Sequence, residues 1–328
     1  MAVISVLVCT RNRSVMLLRL LRSLLATPDG TGGNTSSLEV IVVDQSDGPE
    51  TSQAVASLGG DGRVRLVRSR SRGKGAALNE GLAVARSEIL VCTDDDCEAP
   101  AGWAEDMTRA LRRQPSAAVL FCQVLPTPGY DQQNGFIPAY LLSRSRTVRS
   151  LSFRCRRFGL GAGMAVRTEV VRSLGGFDEA KGPGALFPSS DDWDIAIRAL
   201  LRGWHVYECA EVSITHHGFR RYSEGRDHAR RDWVALGAVC AKPLRAGSWS
   251  TVTLPLWTLG AYAMWPPVLD LLALRRPRGI TRIVSFLQGF ARGLRTPVDA
   301  RTLCFMPSPA PEDEPSSRNR DPGPSDSP

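Results

Sequence analysis

The chain has 328 residues, 43% of them hydrophobic, and a formal net charge of +8. That apolar content excludes a wholly disordered chain, and the length suits one large domain or a domain with an appendage. Eight singly scattered cysteines without a CxxC pair exclude a thiolate metal site and point to a reduced, intracellular protein.

AVISVLVCT (2–10) reads as a buried first strand. MAVISVLVCTRNR has neither a basic leader nor a small-residue cleavage site, so the mature protein is expected to start near Met1. Ser14 is placed to cap a helix to about Ala26, with Leu17, Leu18, Leu21, Leu24 and Leu25 on one stripe. A Gly/Thr/Ser/Asn loop through Ser37 precedes a second strand, LEVIVVD (38–44). A short helix is predicted over 50–58, a strand over 64–68, a helix over 74–85 and a strand over 88–93. This alternation predicts an α/β fold with a mostly parallel sheet sandwiched by helices. The continuous apolar strands fit burial on both faces. Ligands of such sheets bind beyond the carboxyl ends of the strands. There the chain puts Thr10-Arg11-Asn12-Arg13, Asp44 and Asp94-Asp95-Asp96.

Further on, a helix is predicted over 101–113, a strand over 117–124 and an arginine-rich loop region to about Phe158. A strand leading into a helix is expected over 164–174, a helix over 191–201 and a strand over 204–214. Another helix is expected over 227–241. The stretch 251–274 approaches the roughly 20 apolar residues of a membrane span. Pro255, Pro266, Pro267 and Asp270 interrupt it, so a buried or membrane-surface helical pair is expected instead. Its tryptophans, followed by Arg275, Arg276 and Arg278, point to association with a membrane surface. The division is thus a catalytic unit (1–225), a helical, partly apolar extension (226–300) and a disordered Pro/Ser/acidic tail (305–328).

The net charge fits an anionic partner, or simply a soluble surface. Asp94-x-Asp96 after a buried strand suits a hard divalent cation, Mn²⁺ or Mg²⁺, but also a solvated acidic turn. Asp44 suits a base or ribose, or a turn before Ser46-Asp47-Gly48. Asp191-Asp192 opens a helix, where acids complement the dipole or can act as a general base. His216 and His217 end a strand, as structural groups or as a metal ligand. No Gly-rich dinucleotide or phosphate loop follows the first strand; Gly159–Gly163 comes too late.

Taken in order, ISVLVCTRNR, LEVIVVDQSDG, RGKGAALNEGLAVARSEILVCTDDDC, GGFDE and DDWDIAIRALLRGW resemble family 2 glycosyltransferases of the GT-A fold, over about residues 2–220. The resemblance implies a metal-dependent, inverting hexosyl transfer from a nucleotide-diphosphate sugar. Thr10, Arg11, Asn12 and Arg13 would lie beside the nucleotide. Asp44, Lys74, Asn79, Asp94 and Asp95 would bind the nucleotide-sugar, and Asp94 and Asp96 would match the DxD that holds the metal. Asp192 would be the base, beside Asp191. GGFD (175–178) would lie on the acceptor side. HGFR (217–220) resembles a segment whose histidine ligates the metal, with His216 the fallback. Asp95 leaves overlapping pairs open. The expected partners are a nucleotide-sugar donor and an unknown acceptor, in the cytoplasm or on the inner face of its membrane. Nucleic acid is not expected. A nucleotidyltransferase on a similar sheet, or a non-catalytic basic domain, are the alternatives.

Overall fold

The computed structural model describes residues 3–26, 37–151, 158–277 and 279–306. The elements in chain order are β1 (Val3–Thr10), α1 (Ser14–Leu25), β2 (Ser37–Asp44), α2 (Glu50–Ala56), β3 (Val64–Arg68), α3 (Lys74–Val84) and β4 (Ile89–Asp94). There follow β5 (Cys97–Glu98), α4 (Trp103–Arg112), β6 (Ala117–Pro126), β7 (Gly135–Phe136), β8 (Arg146–Val148), β9 (Met164–Arg167) and α5 (Thr168–Ser173). The rest are α6 (Asp191–Leu201), β10 (His205–His216), β11 (Arg220–Arg221), α7 (Gly225–Arg245), α8 (Thr253–Trp257), α9 (Trp265–Leu272) and α10 (Ile280–Arg295).

The main sheet runs β3-β2-β1-β4-β9-β6-β10-β5, with β8 beside β10. β3, β2, β1 and β4 are mutually parallel, and β9 is antiparallel to both β4 and β6. β1 has β2 on one side and β4 on the other, so the strand order reverses at β1/β4. Ligands of open α/β sheets bind at such a crevice. The register aligns the strand ends: Thr10 lies opposite Asp44, and Cys9 opposite Asp94. Apolar side chains cover both faces of the sheet. Leu7, Ile41, Leu90 and Phe121 pack in one layer, and Val6, Val40, Val91 and Leu120 in the other. α1 buries Leu17, Leu20, Leu21 and Leu24 against the second layer.

Three expectations need correction. Ser14 is the first residue of α1 and not its cap; Arg13 holds that position, without a side-chain cap. The apolar stretch is not a helical pair. α8, a π-helical stretch (Thr258–Met264) and α9 follow without a break. Pro266 and Pro267 sit in the first turn of α9, where a missing N–H is tolerated. Among the described residues, no helix is long and apolar enough to cross a membrane. Finally, Phe305 does not belong to a loose tail. It is buried, its N–H donates to Asp178 (3.0 Å), and its ring packs on Phe187. Residues 307–328 lie outside the described residues, as do 152–157 of the arginine-rich segment and the expected loop at 27–36.

α7 and α10 lie against one another through small residues. A Cβ on Gly289 would come 1.9 Å from the Val234 carbonyl oxygen, and one on Gly237 would meet the Phe286 oxygen at 2.1 Å. The helix backbones are therefore nearly in contact.

Candidate active site

The three aspartates at the end of β4 face different partners. Asp94 accepts a hydrogen bond from Lys74 Nζ at 2.6 Å. Asp95 turns inward, accepting from Thr10 Oγ1 at 2.7 Å and Arg13 at 3.1 Å. Burial, with Arg13 and Thr10 opposing it, pushes the Asp95 carboxyl up to about 6. Asp96 faces Arg13 at 3.2 Å and His216 Nε2 at 3.2 Å. Asp95 is thus engaged with the end of β1, while Asp94 faces Lys74 and Asp96 faces His216.

Lys74 opens α3 immediately after Gly73, whose φ of 94° suits glycine. Its ammonium reaches Asp94 and lies 3.5 Å from Asp191. Burial works against its charge, but Asp191 and Asp94 outweigh it and hold the pKa well above the ordinary lysine value. The end of β4 and the start of α6 therefore meet at Lys74. Asp192 is oriented by two main-chain donors, Gly161 N–H at 2.9 Å and Trp193 N–H at 2.7 Å. A Cβ on Gly161 would stand 3.1 Å from Lys74 Nζ and 3.8 Å from the Asp192 Cβ. Glycine at 161 lets the main chain approach the acids. Sequence reasoning passed over this residue, although the GLGAG run was its visible signal.

The two histidines differ sharply. His217 is bound to Glu98 at 3.1 Å. His216 is buried, and its Nδ1 lies 2.9 Å from the Pro138 carbonyl oxygen. A carbonyl only accepts, so Nδ1 carries a proton and Nε2 is aimed at Asp96. Asp96 Oδ1 is buried and lacks a well-aligned hydrogen-bond partner. In the neutral imidazole, two lone pairs face one another, an arrangement that calls for a cation or a second proton between them. Burial alone would lower the His216 pKa, but Asp96 raises it; Asp96 in turn is held below the usual carboxylate range by His216 and Arg13 despite burial. A Cβ on Gly218 would intrude within 2.8 Å of both His216 Nε2 and Asp96 Oδ2. Asp96, Cys97 and His216 offer ligand atoms within 4.8 Å of one another. Burial pushes the Cys97 thiol well up, so it is not a thiolate. An oxygen-and-imidazole site suits a hard or borderline cation, and the residues fit Mn²⁺ or Mg²⁺.

On the other side of β1, a cleft of about 450 Å³ is lined by Arg11, Gln45, Ser46, Asp47 and residues 68–72. Asp44 is fully buried, bound to Arg68 and to the Ser46 N–H, both residues of that lining. Arg68, a partner that the sequence reading missed, comes from the end of β3, directly across the register from Asp44. Arg11 pairs with Asp47 at 3.4 Å. Asn12, in the left-handed region at φ 55°, is bound to Ser46 and Asp47 through its backbone and side chain.

Two expected site residues are occupied elsewhere. Asn79 does not offer its amide to the cleft. Oδ1 accepts from Phe177 N–H at 2.7 Å, while Nδ2 donates to the Phe177 carbonyl and Glu179, both at 3.0 Å. It staples α3 to the 175–178 turn. Asp178 of that turn is buried beneath α7, bound to Lys242, which also binds Asp194 of α6.

The sequence profile of glycosyl transferase family 2 matches residues 5–165. No curated protein matches the chain. Among solved structures, the chain is similar to Staphylococcus aureus TarS residues 1–349, at 15% identity and a TM-score of 0.54, covering 90% of this chain and 82% of that one. It is likewise similar to the mannosyltransferase PcManGT of Pyrobaculum calidifontis, solved with GDP-Man and Mn²⁺, at 20% identity and 0.53, covering 89% and 86%. A TarS structure in complex with UDP aligns at 18% and 0.51, covering 90% of each. At these identities the structures speak for a shared GT-A fold, while the profile match speaks for the family. Through its domain at residues 5–165, on a GT-A fold, the chain belongs to glycosyl transferase family 2.

Proposed function

We propose that this glycosyltransferase is inverting and metal-dependent. It would move a hexosyl group from a nucleotide-diphosphate sugar to a hydroxyl of a glycan, a lipid-linked or a small-molecule acceptor, in glycan or cell-envelope synthesis. Residues 1–225 form the catalytic unit in this reading, and 226–300 an extension. The protein works in the cytoplasm, with peripheral contact to the inner face of the membrane. The observation that carries the reading is the Lys74 ammonium between Asp94 and Asp191, which brings the strand-end acids and the helix-start acids together.

Asp94, Asp96 and His216 would hold Mn²⁺ or Mg²⁺, which when bound stabilises the negative charge of the departing diphosphate. The cleft beside Asp44 suits the nucleotide: Arg11, Arg68 and Arg72 supply positive charge, and Asp47 and Gln45 supply acceptors. Lys74 offers a further cation close to the breaking bond. Asp192 takes the proton from the acceptor hydroxyl. Its two main-chain donors fix the direction in which its carboxylate points. One base and one displacement give inversion, by the same geometry as single-displacement glycosidases.

The test is turnover of GDP-mannose and UDP-glucose with Mn²⁺ or Mg²⁺, read as nucleotide diphosphate release. Asp96→Ala is expected to abolish both release and its dependence on metal. Asp192→Asn is expected to lower transfer by about 10²–10⁴-fold while nucleotide binding persists. Full turnover in the presence of a chelator would sink the metal assignment.

A further inference from the structure

We propose that the outer face of the segment from α8 to α10 is a docking surface for a bilayer rich in anionic lipid headgroups. This deepens the peripheral-contact part of the reading above and rests on that part, but it does not depend on the transfer chemistry.

The face is apolar in two successive stretches. In the first, Leu256, Trp265, Leu269 and Leu272 are exposed, and Leu274 beyond α9 is 96% exposed. In the second, α10 turns Phe286, Gly289 and Gly293 toward α7. Its outward side carries Ile280, Val284, Leu287 and Leu294, at i, i+4, i+7 and i+14, all exposed. The π-helical stretch packs against α10, so the two stretches are neighbours in space as well as in sequence. Soluble proteins rarely leave this much aliphatic and indole surface together without a partner.

Charge selects the partner. From Trp249 to Arg295 the sequence holds six arginines (Arg275, Arg276, Arg278, Arg282, Arg292 and Arg295) and one acid, Asp270. Asp270 is buried. The exposed charge of this segment is therefore entirely positive among the described residues. Arg282 and Arg292 lie over the rings of Trp233 and Phe187, at 5.9 and 5.5 Å, and Arg275 and Arg276 are exposed at the end of α9. A second copy of the chain would oppose arginine to arginine across the same contact. An anionic bilayer instead meets the guanidinium groups with phosphates, and the leucines and tryptophan with acyl chains.

Flotation of the full-length protein with vesicles tests this. Binding to phosphatidylcholine–phosphatidylglycerol vesicles is expected, with much weaker binding to phosphatidylcholine alone. Arg275→Gln and Arg276→Gln should each lower the anionic partition by about fivefold. Added salt should weaken binding, and Leu269→Glu with Leu272→Glu should remove it, at an unchanged melting temperature. Absence of binding to anionic vesicles at low salt overturns the proposal. So does a concentration-dependent dimer that the same leucine substitutions dissolve. Release of nucleotide diphosphate from GDP-mannose and UDP-glucose without vesicles is measured in parallel. Intact release with no flotation refutes only the docking surface; flotation without release refutes only the transfer reading.

Discussion

At the scale of single residues, the hydrogen bonds of neighbours decide chemistry. His216 and His217 are adjacent and chemically identical, yet the Pro138 carbonyl fixes the tautomer of one and Glu98 occupies the other. The expectation from sequence preferred His217, because the HGFR match begins there, but no pattern of side chains announces a main-chain carbonyl 78 positions upstream. The functional difference is measurable. His216→Ala should raise the Mn²⁺ concentration needed for half-maximal turnover by about 10-fold or more, the scale associated with lost metal-site contacts. His217→Ala should leave it within about twofold. Equal responses to both substitutions would remove His216 from the proposed ligand set. Asp95 teaches the same lesson. Its charge marks it in the sequence as a site residue, and its hydrogen bonds to Thr10 and Arg13, which the sequence does not announce, tie the end of β4 to the end of β1.

At the scale of elements, the parallel half of the sheet was legible because β1, β2 and β4 are largely apolar runs and α1 keeps a 3.6-residue stripe. α6 begins and ends where its pattern predicts, at Asp191 and Leu201. What was not legible is contact made by small residues. Gly237, Gly289 and Gly293 carry no hydrophobic signal, yet they let α7 and α10 meet backbone to backbone. Gly289→Ala should therefore cost about 1–3 kcal/mol in denaturant unfolding, as overpacking does. Gly260→Ala, with nothing within 4 Å of the added methyl, should cost nothing or stabilise slightly. If both behave alike, the close approach of the two helices is wrong. Long-range ion pairs were equally hidden: the Arg68–Asp44 and Lys242–Asp194 partners are 24 and 48 positions apart.

At the scale of the whole molecule, α7 shares a buried polar seam with α6 and the 175–178 turn. Lys242 of α7 binds Asp178 and Asp194, Arg198 pairs with Asp194 at 2.8 Å, and Phe305 closes over Lys242 at 4.8 Å. Replacing Lys242 with Ala leaves Asp178 without its buried cation and should cost about 3–5 kcal/mol. A wild-type-like melting temperature would contradict that. Lys181, fully buried nearby, donates to the Ala235 carbonyl at 2.7 Å. Burial, together with the repulsion of Lys242 and against the pull of Asp194, brings its pKa down to about 7. The unfolded chain keeps that proton until about pH 10. Between those values the unfolded state binds more protons, so stability rises with pH, by up to about 1.4 kcal/mol per unit. Melting curves of Lys181→Met should lack this rise above pH 7; parallel curves for the two proteins would count against a neutral Lys181.

The same seam constrains motion. Asp194 lies two positions beyond Asp192 on α6, and it is gripped by Lys242 from one helix and Arg198 from its own. The first turn of α6 is thereby tied to α7, so Asp191 and Asp192 are expected to hold their places. In the proposed reaction the acceptor hydroxyl would then travel to them, and any closure on the donor would come from parts of the molecule outside that tie. Paired spin labels on α6 and α7 should accordingly keep a constant separation from the empty to the nucleotide-loaded enzyme.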